Sequence, residues 1–464
     1  MSFLDREQTV AKPGHSRWLV PPAALAIHLC IGQAYGFSVF NLPLTKVIGI
    51  TKSAPDDWKL TSVAVIFSVA IVFLGLSAAV FGAWLERVGP RKAMFASACC
   101  FGGGFIVSAI GVQLHQLPLV VLGYGVLGGI GLGLGYISPV STLIKWFPDR
   151  PGMATGMAIM GFGGGAMVGS PLAVNLMNYF RSAKSVGVVE TMLAMGVLYF
   201  VFMMFGAFTV RVPAPGWKPE GFQPAAAPQK LVTSAQVSVN EAVKTPQFYL
   251  LWGVLFLNVS AGIGVLQTAS PIIQQTVGVS AASAAGFVGL LSLFNMGGRF
   301  FWSSLSDKIG RKPTYTIYFV LGAILYALVP TAAQLKSVPL FVAIICVIMT
   351  MYGGGFATIP AYLRDLFGTM QVGAIHGRLL TAWSAAGVVG PLLINFMRDY
   401  QVAHGVALAQ SYNVTMYILV GFLIAGLACN LFVTPVDARH HFSGSAANER
   451  AAASSQPVPT GRTA

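Results

Sequence analysis

Arg299 and Asn295 are the residues whose types and spacing carry the most chemistry. Both lie in an apolar run near 281–305. A charge near mid-bilayer costs several kcal/mol, roughly 2.5–3.5 on lenient scales, so a guanidinium there must face a wet cavity or a partner. The fourteen acids are Asp5, Glu7, Asp56, Asp57, Glu86, Asp149, Glu190, Glu220, Glu241, Asp307, Asp365, Asp399, Asp437 and Glu449. All fall in tails, loops or helix ends. Arg299 therefore lacks a buried acidic partner, and an anionic ligand would complete it. A guanidinium fork suits a carboxylate through two parallel charge-assisted bonds. The competing readings are snorkelling toward the helix end and pairing with Asp307, about 12 Å along the helix. Asn295 stands one turn before Arg299 on the same face. There it orients the guanidinium, bonds a ligand, or bonds a neighbouring helix.

Tyr35, Tyr136, Tyr352 and Trp383 fall inside other apolar runs, with Gln33 beside Tyr35. Phenol and indole groups donate to a carboxylate while their rings enclose its apolar part. Core packing or an interface belt is the alternative. His28 and His376 are the histidines placed in helices. They are either proton carriers or structural partners. A lack of buried acids also suits anion exchange.

Glu86, Arg87 and Arg91 form a charged turn that returns 221 residues later as Asp307, Lys308, Arg311 and Lys312 (307 − 86 = 221). Such turns are candidate gates: the acid faces a helix N-terminus of the other half, and the bases hold the closure or meet lipid headgroups. Positive-inside anchoring is the alternative. Arg378, near the start of a later run, is either a second cation for the ligand or a contact to the Glu86 turn or to a neighbouring helix, and is counted with the gate residues.

The elements that must position these residues are membrane helices. The chain has 464 residues, 55% hydrophobic and 9% charged, with mean hydropathy +0.72. A soluble domain averages about 25% charged residues. Net charge is +14, but the cations sit in short loops where they set orientation, so nucleic-acid binding is not expected. The five cysteines have no metal or disulfide spacing. Gly128–Gly135 imitates a dinucleotide loop but lies in an apolar run with no βαβ pattern. No metal cluster, nucleophile–base set or paired acid appears, so neither enzyme activity nor a cofactor is expected.

Apolar runs long enough to span a bilayer fall near 18–44, 59–85, 93–113, 118–143, 152–179, 188–210, 246–274, 281–305, 314–335, 338–363, 372–397 and 411–434. The expected fold is all-α and polytopic: a tail over 1–17, a six-helix bundle over 18–210, a central loop over 211–245, a second six-helix bundle over 246–434, and a disordered tail over 435–464. With both termini cytoplasmic, that side holds 19 of the 28 Lys and Arg and the other side 7, which sets an N-in, C-in topology. The halves repeat: Gly135-Tyr136 matches Gly355-Phe356, and Gly169 matches Gly390, each just ahead of a proline. Such repeats place a site near the midplane between rocking halves.

Twelve runs in two sixes, with these paired turns, resemble the major facilitator superfamily over nearly the whole chain. Three finer stretches resemble its oxalate/formate antiporter family: Lys244-Thr245-Pro246-Gln247-Phe248 with Trp252, Phe294-Asn295 with Gly298-Arg299, and Trp146-Phe147-Pro148-Asp149. The Asn/Arg spacing is also similar to the monocarboxylate transporters. The resemblance implies a secondary transporter in the cell (inner) membrane, monomeric, with Arg299 as the anion ligand and helices 1, 4, 10 and 11 lining the cavity. Oxalate exchange in the family uses a lysine in helix 11, where this chain has Trp383. That favours a monocarboxylate such as pyruvate, lactate or formate, moved by exchange or proton symport. Oxalate/formate exchange proper, or export of another solute, are the alternatives.

Overall fold

The computed structural model describes residues 3–222 and 231–442. Residues 223–230 of the central loop and 443–464 of the expected tail lie outside the described residues. Twelve long helices follow in order. They are α1 Arg17–Leu44, α2 Leu60–Val88, α3 Pro90–Gln113, α4 Leu117–Trp146, α5 Pro151–Phe180 and α6 Val188–Thr209. Then come α7 Pro246–Val277, α8 Ala281–Ile309, α9 Arg311–Gln334, α10 Val338–Phe367, α11 Val372–Ala403 and α12 Leu408–Leu431. Among the described residues, eleven helices are long and apolar enough to cross a bilayer. The remaining one, α8, has 29 residues and carries Arg299, Asn295, Asp307 and Lys308.

The helices run further than hydropathy suggests. Glu86 and Arg87 belong to the last turn of α2, and Asp307 and Lys308 to the last turn of α8. The turns themselves are single glycines, Gly89 at φ 87° and Gly310 at φ 89°, a region costly for a side chain bearing Cβ. The acids expected in loops therefore sit on rigid helix ends. Regularity is lost where the interior needs it. Helix α1 tightens to 3-10 geometry over Gly32–Phe40, and α11 is interrupted at Leu380, between Val372–Leu379 and Thr381–Ala403.

The two halves repeat the same packing. Helix α2 packs on α4 as α8 packs on α10, α1 on α5 as α7 on α11, and α3 on α6 as α9 on α12. Between the halves, α5 lies along α8 and α2 along α11. Both seams are built on glycine, which lets backbones approach closely. A Cβ added at Gly156 would sit 3.0 Å from the Arg299 carbonyl and 3.2 Å from the Phe300 Cα. Its repeat partner Gly377 (156 + 221 = 377) lies in the same way against the Ala78 carbonyl of α2.

One end of the bundle gathers both described chain ends and the 231–245 segment; Val10 pairs with Val212 and Val237 with His441. At this terminal end each seam is closed by a carboxylate on a helix N-terminus. Asp307 accepts the Gly152 and Met153 N–H groups of α5, both at 2.8 Å. Glu86 accepts the Gly373 N–H of α11 at 3.0 Å and pairs with Lys145 at 3.0 Å. Arg311 bridges Asp307 at 2.7 Å and Asp365 at 3.0 Å. The repeat explains the difference: Pro90 replaces Arg311, and Lys145 stands where the second half has Asp365 (145 + 220 = 365). At the opposite end, Asp57 accepts the N–H groups of Ile48, Gly49 and Ala54. Burial alone would raise its carboxyl, but these donors outweigh it and hold it below the usual range.

Candidate substrate-binding site

Arg299 is fully buried between the halves. Its Nε donates to Asn295 Oδ1 at 3.2 Å and its NH1 to the Ile159 carbonyl of α5 at 3.4 Å. NH2 has no hydrogen-bond partner among the described residues, with the Tyr35 and Tyr136 hydroxyls beside the guanidinium. Gly353 of α10 makes room for the pair: a Cβ there would sit 2.6 Å from Asn295 Oδ1 and 3.1 Å from Arg299 Cγ. Two rings flank the guanidinium, Phe356 at 5.2 Å and Phe162 at 5.7 Å from its carbon. Such contacts attract a cation without neutralising it, so the site retains its positive charge.

Around Arg299 stand Tyr35 of α1, Tyr136 of α4, Tyr352 of α10 and Trp383 of α11. The Trp383 ring lies 5.1 Å from Tyr136, 5.2 Å from Phe162, 4.6 Å from Phe356 and 6.3 Å from Tyr35. Tyr35 and Tyr352 share a hydrogen bond of 2.9 Å across the halves. Tyr136 Oη, which stands by the Arg299 guanidinium, and Trp383 Nε1 are buried without a well-aligned hydrogen bond among the described residues. An unpartnered buried donor is costly, and here two of them accompany the unpartnered NH2. Together they make a cation and neutral donors within an apolar cage. The chemistry that fits is a small anion with an apolar body.

The structure thus gathers Arg299, Asn295, Tyr35, Tyr136, Tyr352 and Trp383. His28 and His376 flank Tyr136, with ring centroids 5.3 Å and 5.8 Å away. His28 Nδ1 faces the Ala24 carbonyl at 3.3 Å. Neither nitrogen of His376 has a hydrogen-bond partner among the described residues.

Gln33 is not gathered: it turns toward Gly169 of α5, beside Tyr199. Arg378 is not either. It points to the terminal end, where it donates to the Val239 carbonyl at 3.1 Å and Asn240 Oδ1 at 2.9 Å. It is therefore no second cation for this cage. Arg91 is buried against the amino-terminal tail, donating to the Phe3 carbonyl at 2.7 Å, and takes no part in either seam. Arg87 and Lys308 are exposed.

Phe162 and Phe356 belong to the cage and are absent from the sequence expectation. The repeat held the signal. Phe356 is the mate of Tyr136 (136 + 220 = 356) and Phe162 the mate of Trp383 (162 + 221 = 383). Four of the six rings of the cage thus form two symmetry-related pairs, and Tyr35 and Tyr352 stand outside that pairing. Arg299 breaks the symmetry, since its mate is Ala78 (299 − 221 = 78).

Two like six-helix halves around a buried cation define a secondary membrane transporter. The model of the Major Facilitator Superfamily matches residues 23–391 and, again, 300–457, and the chain belongs to that superfamily. It is 28% identical over 378 residues to the oxalate:formate antiporter of Oxalobacter formigenes, covering 81% of this chain and 83% of that one. It is 26% identical over 384 residues to apicoplast pyruvate carrier 1 of Toxoplasma gondii, covering 70% and 68%. Human monocarboxylate transporter 11 is 25% identical over 398 residues, covering 82% and 77%. Among solved structures, the FucP transporter in the outward conformation superposes with TM-score 0.63 at 13% identity, covering 89% of this chain and 99% of that one. That likeness concerns the fold.

Proposed function

We propose that the protein carries small organic carboxylates across the cell's inner membrane by alternating access, with Arg299 as the anion ligand. The observation that carries this reading is the fully buried guanidinium that, among the described residues, has no acid beside it and no hydrogen-bond partner for NH2, inside an aromatic cage shared by both halves. A carboxylate supplies the missing charge and takes the orphan donors. Asn295 positions the guanidinium, and the rings enclose the carbon end of the substrate. With one cation in the cage and Trp383 on α11, a monocarboxylate such as pyruvate, lactate or formate fits better than a dianion, which needs a second cation. The similarity to carriers of both kinds supports the class.

The units 18–210 and 246–434, joined by 211–245, act as the rocking bodies of a monomer. Both termini are cytoplasmic on the lysine and arginine count. Driving force is anion exchange or proton symport, with His28 and His376 as carriers in the second case.

The test is uptake of labelled pyruvate into proteoliposomes preloaded with cold pyruvate. Expected are saturable uptake, competition by lactate and formate, and weaker competition by oxalate. No carboxylate uptake, with or without a proton gradient, would overturn the reading.

Alternating access also requires the terminal end to open. Asp307→Asn removes a charged acceptor from the α5 N-terminus and from Arg311. A hydrogen bond to a charged group contributes about 1.5–3 kcal/mol. The closed arrangement should lose about 2 kcal/mol, roughly 30-fold in its population. Distances between spin labels on the facing ends of α5 and α8 would lengthen. An unchanged distribution would count against Asp307 as a gate.

A further inference from the structure

At the closed terminal end lies a cavity of about 530 Å³ outside the cage, lined by Arg6, Arg87 and Arg378 together with Glu86, Asn240 and Gln371. Its lining is drawn from both halves: the amino-terminal tail and α2 on one side, the 238–240 segment and α11 on the other. Its acceptors are already engaged. Glu86 Oε1 takes the Gly373 N–H and Oε2 takes Lys145 Nζ. Gln371 Oε1 takes the Val239 N–H at 2.7 Å, and Asn240 Oδ1 takes Arg378. Donors remain: the amide NH2 groups of Asn240 and Gln371, and free N–H groups on the guanidiniums. Arg6 uses NH1 on the Glu86 carbonyl at 3.1 Å. Arg87 makes no hydrogen bond or ion pair among the described residues.

We propose that this cavity is an anion site for a phosphate group, carried by a lipid headgroup or by a free phosphate, and that it belongs to the closed terminal end. Three guanidiniums face one carboxylate that is neutralised elsewhere, and planar forks with spare N–H groups match phosphate oxygens. The walls come from the two sides of the α2–α11 seam. The site is complete only while Glu86 holds Gly373, so a bound phosphate favours closure by the difference in its affinity for the two arrangements. This site differs from the Arg299 cage in place and in ligand, and does not depend on the carboxylate reading.

The test uses the purified full chain and no transport assay. One arm follows the melting midpoint against inorganic phosphate. The other follows retention of phosphatidylglycerol over phosphatidylcholine from mixed micelles by native mass spectrometry. Arg87→Gln, whose side chain holds nothing in the fold, should weaken phosphate or lipid binding about fivefold, as befits one exposed charged contact. Arg87→Gln combined with Arg378→Gln should abolish it. A response in the lipid arm alone assigns the site to a headgroup, and in the phosphate arm alone to a soluble anion. No binding in either arm, or binding unchanged in both variants, overturns the proposal.

Discussion

Arg299→Gln is expected to lower carboxylate uptake by roughly 100-fold while leaving the protein folded. Removing one partner of a buried, hydrogen-bonded charge pair costs about 2–5 kcal/mol, and about 2.7 kcal/mol corresponds to two decades. Among the described residues the guanidinium has no acid in salt-bridge contact, and on the proposed reading the substrate completes that pair. Arg299→Lys keeps a point charge but loses the fork, and should recover only part of the loss. A second readout separates this from simple damage. An uncompensated buried charge destabilises a fold. Arg299→Gln should therefore melt at the same or a higher temperature than the unsubstituted protein without substrate. Exchange of pyruvate within twofold of the unsubstituted rate would exclude Arg299 as the anion ligand.

Gly156→Val is expected to abolish transport by a different route. An added Cβ would lie 3.0 Å from the Arg299 carbonyl and 3.2 Å from the Phe300 Cα. The Ser303 hydroxyl lies closer still, and behind it stand these backbone atoms, so the larger valine side chain presses α5 away from α8. Overpacking of this kind costs about 1–3 kcal/mol, which shifts the closed population by up to roughly 100-fold. The terminal end should stay open, with lengthened spin-label distances between α5 and α8 and intact folding. Gly377→Val should do the same at the other seam, against the Ala78 carbonyl. Normal transport in Gly156→Val would mean that close approach of α5 and α8 is dispensable.

The fold was legible because hydrocarbon leaves few choices. A long apolar run must be a helix, and the runs lie within two turns of the helices observed. Their ends were less legible. Asp307 and Lys308 read as a turn because hydropathy falls there, whereas α8 continues to Ile309 and the chain reverses at Gly310. For the site, Arg299 stood out because charge in an apolar run is rare. Tyr35, Tyr136, Tyr352 and Trp383 followed from their helices. Phe162 and Phe356 were harder, since phenylalanine in a membrane helix is ordinary. Only the internal repeat distinguishes them from packing residues. Gln33 was misplaced because depth along a helix is readable from the chain, but rotation about its axis is set by neighbours; for Arg378 the same limit left two alternatives, and it lies at the Glu86 turn rather than in the cage. Gln33 faces α5, and Arg378 faces the 238–240 segment.

The two seams have unlike charges, and this bears on how readily the molecule moves. Lys145 and Glu86 both belong to the first half. Arg311, Asp307, Asp365 and Arg364 all belong to the second. What these gate carboxylates lend across the divide is a hold on neutral amide groups, at Gly152, Met153 and Gly373. Parting the halves at these points therefore pulls no opposite charges away from each other. The work is that of breaking carboxylate–amide hydrogen bonds rather than an ion pair, and each half keeps its own ions matched in either arrangement. On the proposed alternating-access reading, such a latch opens without separating a salt pair.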